Sequence, residues 1–205
     1  DYEDNRKNFV ASAFQPDEDA PWIVKKSEFI GSEHTNVEID SPLLADALIP
    51  SMRSRDLPGM ADVDASLLLF CKEIKKQVTV ALSGECADEI FGGYPWYRDE
   101  KIRSRYGFPW AQSTEYREGF LHPDLKENIS GTDYVNRRYE DTVNQTSKLS
   151  GISSTESRMK EMVNLNTNWF MQTLLDRKDR MSMYSGLEVR VPCCDYRIAE
   201  YLYGV

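Results

Sequence analysis

The sequence has 205 residues, 40% of them hydrophobic and 29% charged, which is enough apolar material for one packed domain of ordinary size. Its formal net charge of −9 argues against a nucleic-acid-binding protein, which needs a basic face, and provides no polybasic anchor for anionic lipid. The longest apolar run, Leu67–Cys71, is far shorter than the roughly 18 residues of a membrane span, so we expect no membrane partner.

The four cysteines show no pattern of a metal site or a disulfide framework. Cys71, Cys86, Cys193 and Cys194 form no Cys-x-x-Cys pair, and the adjacent pair at 193 and 194 suits neither a metal clasp nor a loop-closing disulfide. We therefore predict free buried thiols in a reducing, cytoplasmic compartment.

The first predicted elements alternate between helix and strand. Apolar residues at helical spacing predict a helix over 17–30, which stops at Gly31. Residues 36–39 alternate like a short strand. Ser41-Pro42 provides a cap and a first-turn proline for a second helix. We expect that helix to bury Leu44, Ala47 and Leu48.

A turn at 56–59 leads to a helix that begins at Asp64 or shortly before it and buries Leu67, Leu68, Cys71 and Ile74. The run Val78–Leu82 is short, β-branched and apolar throughout, as expected for a parallel strand buried on both faces. The order helix, strand, helix, helix, strand, helix is typical of a doubly wound α/β sheet.

The pattern changes near Trp96. Aromatic residues become dense from there to Phe120, no strand is predicted, and a long helix begins at Thr155 or Glu156. We expect the aromatic cluster from Tyr94 to Trp110 to serve packing rather than base stacking. We therefore divide the chain into an α/β region over 1–97 and a helical region over 98–205.

The segment after Leu82 has the composition of a ligand site. Ligands of open α/β sheets bind outside the carboxyl ends of the strands, and Ser83 and Gly84 lie at such an end. Gly84 has no Cβ, so a nucleotide can approach the backbone closely, and Ser83 offers a hydroxyl and an amide.

Three carboxylates, Glu85, Asp88 and Glu89, follow closely and predict a metal ion or a proton-transfer role. On a helix, Glu85 and Asp88 would share one face. The alternative is that acids in a first helical turn merely complement the helix dipole, and that alternative has most weight for Glu89. From the residues alone, the segment indicates a nucleotide or metal site.

Two long motifs resemble those of the asparagine synthetase family. Residues 83–94, Ser-Gly-Glu-Cys-Ala-Asp-Glu-Ile-Phe-Gly-Gly-Tyr, resemble its second signature, and Leu175–Met183 with 186–192 and Asp195 resembles a later one. The resemblance covers nearly all of the chain. It implies a truncated doubly wound parallel sheet of the pyrophosphatase-loop, adenine nucleotide alpha hydrolase-like type, followed by a mostly helical region.

The implied activity is that of a carbon–nitrogen ligase with glutamine as amido donor. Such an enzyme adenylates the aspartate side-chain carboxylate and transfers glutamine-derived ammonia, which yields asparagine, AMP and pyrophosphate. The resemblance assigns ATP and Mg²⁺ as cofactors. Ser83 and Gly84 match nucleotide-contacting positions, Glu85 matches a glutamate that takes a proton from the attacking amine, and Asp88 matches an Mg²⁺ ligand.

The arginines of the later motif have open roles. Arg177, Arg180 and Arg190 are candidates for binding phosphate or substrate, because a guanidinium matches carboxylate and phosphate geometry. For Arg190 we favour the alternative that it and Glu188 fix the loop before Pro192 through internal hydrogen bonds.

The sequence also departs from the family pattern. The first ATP motif, Ser-Gly-Gly-hydrophobic-Asp-Ser, is missing, and so are the N-terminal glutaminase domain and a later lysine. Cys86 stands where a small residue is usual, and Cys193-Cys194 replaces Phe-Leu. We therefore expect a fragment that is inactive alone and whose parent chain carries the glutaminase domain. The oligomeric state is open.

Two alternatives remain at this point. The first is a relative with another acceptor, such as a β-lactam-forming or peptide-cyclising synthetase, although the presence of Glu85 favours ammonia. A non-catalytic nucleotide-binding scaffold predicts a degraded signature, whereas Ser83, Gly84, Glu85 and Asp88 are intact.

Overall fold

The computed structural model describes residues 9–11, 18–111 and 113–204. Within these ranges, helices predominate and two short strands form a parallel pair. No helix of the described part is long and apolar enough to cross a membrane. The α-helices span Asp19–Ile30, Ser41–Asp46, Leu48–Arg55, Ala61–Lys75, Ala87–Phe91, Pro95–Arg98, Glu100–Arg103, Thr114–Glu118, Pro123–Asn128, Gly131–Gln145, Ser154–Leu165, Met171–Tyr184 and Tyr196–Tyr203. A π-helix spans Asn166–Phe170 and a 3-10 helix spans Pro192–Cys194.

The described chain forms two compact units. The first unit comprises the residues up to Gly84 together with Leu174–Pro192, and the second comprises Glu85–Thr173 with the residues from Cys193 onward. Each unit has its own apolar core. The division that we predict near residue 97 stays a prediction.

The core of the first unit forms where the Ala61–Lys75 helix meets a later segment of the chain. Its buried members are Leu67, Leu68, Cys71, Met181 and Leu187. The helical spacing of the first three residues, at 67, 68 and 71, turns one face of the Ala61–Lys75 helix inward, as the sequence predicts.

The sheet of this unit joins distant segments. Strand β1, Val80–Leu82, pairs in parallel with strand β2, Glu188–Arg190, so that Ala81 lies opposite Val189. The fold class is therefore α/β, with a small sheet in the described residues. The prediction of no strand after residue 96 is wrong, since β2 lies there. The sequence does not reveal β2, because two of its three residues are charged and give no apolar run.

The prediction that Val78–Leu82 is buried on both faces is also wrong. Val80 is 40% exposed and Leu82 74% exposed, whereas the central Ala81 packs against the core. Successive side chains of a strand point to opposite faces, and the core contacts one face of this pair. Residues 78–82 are nearly all apolar, but alternate side chains of β1 point away from the core and are exposed.

The segment between the Asp19–Ile30 and Ser41–Asp46 helices contains no strand. Val37 and Ile39 are half-buried and their neighbours exposed, so the predicted alternation is present, but residues 32–40 form no helix or strand. An extended segment can thus point alternate side chains inward without pairing to a neighbouring strand. The Asp19–Ile30 helix is followed by its C-terminal cap Gly31, which has a φ of 66°, as predicted. The predicted start at Asp17 lies outside the described residues.

The next helix begins at Ser41 but is capped by Asp40, whose carboxylate accepts a hydrogen bond from the Leu43 amide over 2.8 Å. The prediction of Ser41 as the cap is therefore wrong. Of the apolar side chains expected inside, Ala47 is buried, Leu44 is half-buried and Leu48 is exposed. The helix ends at Asp46, so Leu48 lies in the following helix, which turns it outward.

The second unit is built around aromatic side chains. Its buried core joins the short helices after Tyr94 to two longer helices, Gly131–Gln145 and Ser154–Leu165. The predicted packing role of the aromatic cluster is confirmed. The core members are Trp96, Tyr97, Ile102, Phe108, Tyr139, Met162 and Leu165.

The predicted long helix is present and begins slightly earlier than expected. Ser153 caps it, and Glu156 completes a capping box by accepting a hydrogen bond from the Ser153 amide over 2.7 Å. The α-helical pattern changes to a π-helix at Asn166–Phe170 and resumes at Met171. The π-helix packs against the Ala87–Phe91 helix, which we call the motif helix.

Candidate functional site

Strand β1 leads directly into the predicted nucleotide-binding residues. The Ser83 amide donates a hydrogen bond to the carbonyl of Arg190 over 2.9 Å, which extends the pairing of β1 and β2 by one step. Ser83 is half-buried and Gly84 is exposed. Both residues therefore lie at the carboxyl end of β1, the position where ligands of α/β sheets bind.

The surroundings of Gly84 are open. Apart from its chain neighbours, no atom of the described residues lies within 4 Å of the position that a Cβ would occupy. Its φ is also not in the left-handed region. Neither backbone conformation nor packing within the described chain therefore requires glycine here, and space is available for a group that approaches the backbone.

The carboxylates after Gly84 are separated by a break in the backbone. Cys86 has a φ of 74°, and the motif helix begins only at Ala87, so Glu85 precedes the helix. The prediction that Glu85 and Asp88 share one helical face is therefore wrong. Glu85 is half-buried and Asp88 is exposed.

The Asp88 carboxylate lies against Gly93, the second of the two glycines that follow the motif helix. A Cβ added at Gly93 would overlap the Asp88 carboxylate, and the Gly93 amide donates a hydrogen bond to the Asp88 carbonyl over 3.0 Å. Gly92 adopts a φ of 69°, which glycine accommodates without strain. The two glycines thus close the helix and leave room for the Asp88 side chain.

Glu89 has a structural partner that the sequence does not reveal. It is 1% exposed, and the Tyr94 hydroxyl donates a hydrogen bond to its Oε1 over 2.5 Å. The Tyr97 hydroxyl donates to the Glu89 carbonyl over 3.3 Å. Burial and the bond to Glu89 raise the pKa of Tyr94 well above its ordinary value. A separation of five residues matches no helical or strand pattern, so no sequence signal indicates this pair.

Arg177 and Arg180 belong to a chain of alternating charges in the first unit. Arg177 Nε lies 3.9 Å from Asp64 Oδ1, and Arg180 contacts both Asp176 and Asp56 at 3.3 Å. Arg55 joins the two halves, because it lies 3.3 Å from Asp64 and 3.0 Å from Asp176. In order, the members of this ion-pair chain are Arg177, Asp64, Arg55, Asp176, Arg180 and Asp56.

The two candidate arginines differ in exposure within this ion-pair chain. Asp64 is 2% exposed and Arg177 is largely buried beside it, whereas Arg180 is more open to solvent. Arg177 thus lies beside a buried carboxylate without a hydrogen bond between Nε and Oδ1, and Arg180 is the better placed of the two to reach a ligand.

Arg190 and Glu188 form the predicted internal contact. Arg190 Nε donates a hydrogen bond to Glu188 Oε1 over 2.8 Å, and both side chains are exposed. The pair lies on strand β2, so side chains two positions apart share one face of the strand.

The prediction of free buried thiols is wrong for three of the four cysteines, because two of them are disulfide-bonded and Cys193 is only half-buried. Cys86 and Cys194 form a disulfide with a Cα–Cα distance of 5.5 Å across a separation of 108 residues, while Cys71 and Cys193 lie outside it. The 3-10 helix Pro192–Cys194 and the Tyr196–Tyr203 helix bring Cys194 to the motif helix, and spacing in the sequence carries no sign of this approach.

The predicted site residues divide between the two units. Ser83, Gly84, Arg177 and Arg180 belong to the first unit, and Glu85 and Asp88 to the second. Among the described residues, no group of three or more His, Cys, Asp or Glu side chains is arranged to hold a metal ion. Asp88 offers an exposed carboxylate, which is the type of oxygen ligand that Mg²⁺ takes together with phosphates and water.

Comparison with known proteins assigns the family. A sequence model of the asparagine synthase family matches residues 5–205. The chain belongs to the asparagine synthase family. It is 50% identical over 205 residues to asparagine synthetase (glutamine-hydrolyzing) 3 of Bacillus subtilis (strain 168), and it spans 33% of that protein's length.

More distant relatives agree with this family assignment. Asparagine synthetase (glutamine-hydrolyzing) 1 of the same strain is 30% identical over 168 residues, which are 66% of this chain and 26% of that protein. A putative asparagine synthetase (glutamine-hydrolyzing) of Mycobacterium tuberculosis (strain ATCC 25618 / H37Rv) is 36% identical over 76 residues, which are 37% of this chain and 12% of that protein. The resemblance carried by the two sequence motifs is thereby confirmed at the level of the family.

Proposed function

We propose that this chain is part of a glutamine-dependent asparagine synthetase. That enzyme joins ammonia derived from glutamine to the side-chain carboxylate of aspartate at the expense of ATP, which becomes AMP and pyrophosphate. The observation that carries the proposal is the 50% identity along the entire chain to a protein of that name. Because the chain spans a third of that relative, we assign the activity to the longer protein.

The remaining parts of the proposal follow from this activity. The nucleotide-binding fold is of the pyrophosphatase-loop type, the glutaminase domain lies elsewhere in the longer protein, and the reaction takes place in the cytoplasm, where ATP and free amino acids are available. Aspartate and ammonia are the small-molecule substrates.

The residues at the end of β1 have separate tasks in this proposal. Ser83 offers its hydroxyl to the nucleotide, and the open space beside Gly84 lets the nucleotide approach the backbone. Glu85 takes a proton from the attacking amine, a task for which a half-buried carboxylate is suited because it is shielded from bulk water. Arg180 contributes positive charge near phosphate or substrate.

Asp88 is the proposed metal ligand. The exposed carboxylate fits the oxygen preference of Mg²⁺, and Gly93 gives it the space to be oriented by the turn after the motif helix. When bound, Mg²⁺ neutralises charge on the phosphates. Arg177 has a positioning role, because its guanidinium lies beside the buried Asp64.

Two substitutions separate the proposed steps in the full-length protein. Glu85→Gln should abolish asparagine formation while aspartate-dependent exchange between ATP and labelled pyrophosphate continues, because the proton is removed after adenylation. Asp88→Asn should lower the exchange itself by about a hundredfold and raise the Mg²⁺ concentration needed for half-maximal rate. Glu100→Gln is the matched control, since Glu100 is an exposed glutamate of the same unit.

The proposal is rejected if the full-length protein with aspartate, ATP and Mg²⁺ gives no pyrophosphate exchange. Exchange that depends on a different carboxylate substrate would identify a relative with another acceptor. The isolated 205-residue chain should give no exchange, because the first ATP motif of the family is missing from its sequence.

Gly84→Ala tests the nucleotide approach separately. The added methyl group meets no described atom of the protein, so the thermal midpoint should stay unchanged. The affinity for ATP should fall about tenfold, because the methyl group occupies space that the ligand uses. Isothermal titration with ATP measures the affinity, and an unchanged Kd would contradict the assignment of Gly84.

A further inference from the structure

The Cys86–Cys194 disulfide joins the proposed site to a remote turn of the second unit. Cys86 precedes the motif helix, and Cys194 ends the 3-10 helix that leads to the Tyr196–Tyr203 helix. The motif helix and the Tyr196–Tyr203 helix pack against each other, so the bond reinforces an existing contact. Cys86 lies between Glu85 and Asp88, the two carboxylates to which we assign chemistry.

Cys86 occupies a position where a cysteine is unfavourable by conformation alone. Its φ of 74° lies in the left-handed region, which glycine adopts freely and side chains with a Cβ avoid. The bond to Cys194 adds an interaction that offsets this conformational cost.

We propose that Cys86 and Cys194 form a reversible thiol–disulfide site that controls the order of the segment from Glu85 to Phe91. The oxidised pair ties this segment to the backbone at Cys194, and the reduced pair releases it. The effect on catalysis rests on the proposed function, whereas the redox chemistry does not.

The exposure of the two sulfur-bearing residues sets the order of the chemical steps. Cys194 is half-buried, whereas Cys86 is 2% exposed, so exchange begins at Cys194. The Cys194 thiolate attacks a low-molecular-weight disulfide such as glutathione disulfide, forms a mixed disulfide and releases one small thiol. The Cys86 thiolate then attacks the Cys194 sulfur and releases the second small thiol. The protein loses two electrons and two protons, which reduce the small disulfide to two thiols.

The two cysteines outside the disulfide serve as internal controls for the specificity of oxidation. Cys193 is next to Cys194 and half-exposed, yet it lies outside the disulfide. Cys71 is buried in the core of the first unit. If the site is specific, Cys86 and Cys194 should therefore become oxidised together, while Cys71 and Cys193 stay thiols.

The first experiment is a redox titration of the full-length protein in glutathione buffers of varied ratio. After acid quenching, denaturation and alkylation, mass spectrometry reads each cysteine. As the buffer becomes more oxidising, Cys86 and Cys194 should lose alkylation at the same glutathione ratio. That ratio should be unchanged in Cys193→Ser. Alkylation of Cys86 at every ratio, or pairing of Cys194 with another cysteine, overturns the proposal.

Amide hydrogen exchange of the same samples tests the structural consequence. Reduction should lower the protection of residues 85–91 by about tenfold or more, and Cys194→Ser should show the low protection with and without reductant. Cys86→Gly guards against loss of folding, because glycine accommodates the left-handed backbone. It should resemble the reduced wild-type protein in both conditions. Equal protection in oxidised and reduced wild-type protein overturns the proposal.

Pyrophosphate exchange links the redox site to catalysis. The oxidised full-length protein should be about tenfold more active than the reduced protein, because the carboxylates are held in place, and Cys86→Gly should lose this redox dependence. Equal pyrophosphate-exchange rates of the oxidised and reduced proteins would overturn the proposal that the disulfide controls the active site. If neither form is active, the proposed function fails, while alkylation and amide exchange still decide the redox site.

Discussion

At the scale of single residues, Asp64 is a buried charge that two arginines of the first unit share. It is almost fully buried, it accepts a hydrogen bond from the Met60 amide over 2.8 Å, and it lies between Arg55 and Arg177. Removal of one member of a buried ion pair leaves an uncompensated charge, which is more costly than loss of the attraction alone. The negative charge of Asp64 therefore stabilises two guanidinium groups at once.

Asp64→Asn should destabilise the first unit by about 3 kcal/mol, since Arg55 and Arg177 lose their shared counter-charge. Hydrogen exchange of the Ala61–Lys75 helix measures the loss. Asp62→Asn is the matched control, because Asp62 lies in the first turn of the same helix but is exposed. If both variants lower protection equally, the helix dipole rather than the ion-pair chain accounts for the effect.

Tyr94 and Glu89 form a second buried contact whose strength depends on pH. Tyr94→Phe removes the donor to a buried carboxylate oxygen and should destabilise the second unit by about 1–3 kcal/mol. Because the folded state raises the pKa of Tyr94, the folded protein holds the phenol proton more tightly than the unfolded chain. This stabilisation is complete below about pH 10 and decreases as the pH rises further.

The stability difference between wild type and Tyr94→Phe should therefore shrink above about pH 10. Urea unfolding of the full-length protein at a series of alkaline pH values, followed by hydrogen exchange of residues 87–97, measures this difference. Tyr196→Phe should behave like the wild type at each pH, because Tyr196 is exposed. A difference that grows with pH would contradict the direction of the pKa shift.

At the scale of secondary-structure elements, local signals and distant contacts differ in what the sequence reveals. Gly31 acts within one turn of a helix, so local composition is sufficient to place that helix end. The Ser153–Glu156 box is also local, but the predicted start at Thr155 or Glu156 lies one to two residues after the observed start at Ser154. Strand β2 has two charged residues and depends on a partner more than a hundred residues away, and no periodic pattern predicts it.

The same reasoning explains the outcome for the candidate site. Small residues after an apolar strand are sufficient to place Ser83 and Gly84 at the end of β1. The left-handed conformation of Cys86, which separates Glu85 from the motif helix, has no sequence signal, because cysteine does not favour that conformation. The disulfide and the partners of Arg177 depend on tertiary contacts for the same reason.

The capping box of the Ser154–Leu165 helix gives a prediction at this scale. Ser153→Ala removes the side chain that accepts a hydrogen bond from the Glu156 amide over 3.2 Å, and it should destabilise the helix by about 1 kcal/mol. Ser154→Ala is the control, because Ser154 is the first residue of the helix and not part of the box. Amide exchange of residues 154–165 should increase in the first variant and stay unchanged in the second.

At the scale of the whole molecule, each compact unit depends on its own core. Leu68 is fully buried in the core of the first unit and Met162 in that of the second. Truncation of such a side chain to alanine removes apolar contacts and leaves a cavity, because the surrounding packing relaxes only in part. The expected loss is about 2–5 kcal/mol for each substitution.

Segment-resolved hydrogen exchange assigns each loss to its unit. Leu68→Ala should lower the protection of the Ala61–Lys75 helix and of β2, because Leu68 packs with Leu187 in the core that both elements share. Met162→Ala should lower the protection of Gly131–Gln145 and Ser154–Leu165. Phe70→Ala is the control, since Phe70 is exposed on the same helix as Leu68. If Leu68→Ala leaves β2 as protected as in the wild type, then the core of the first unit does not hold the strand pair in place.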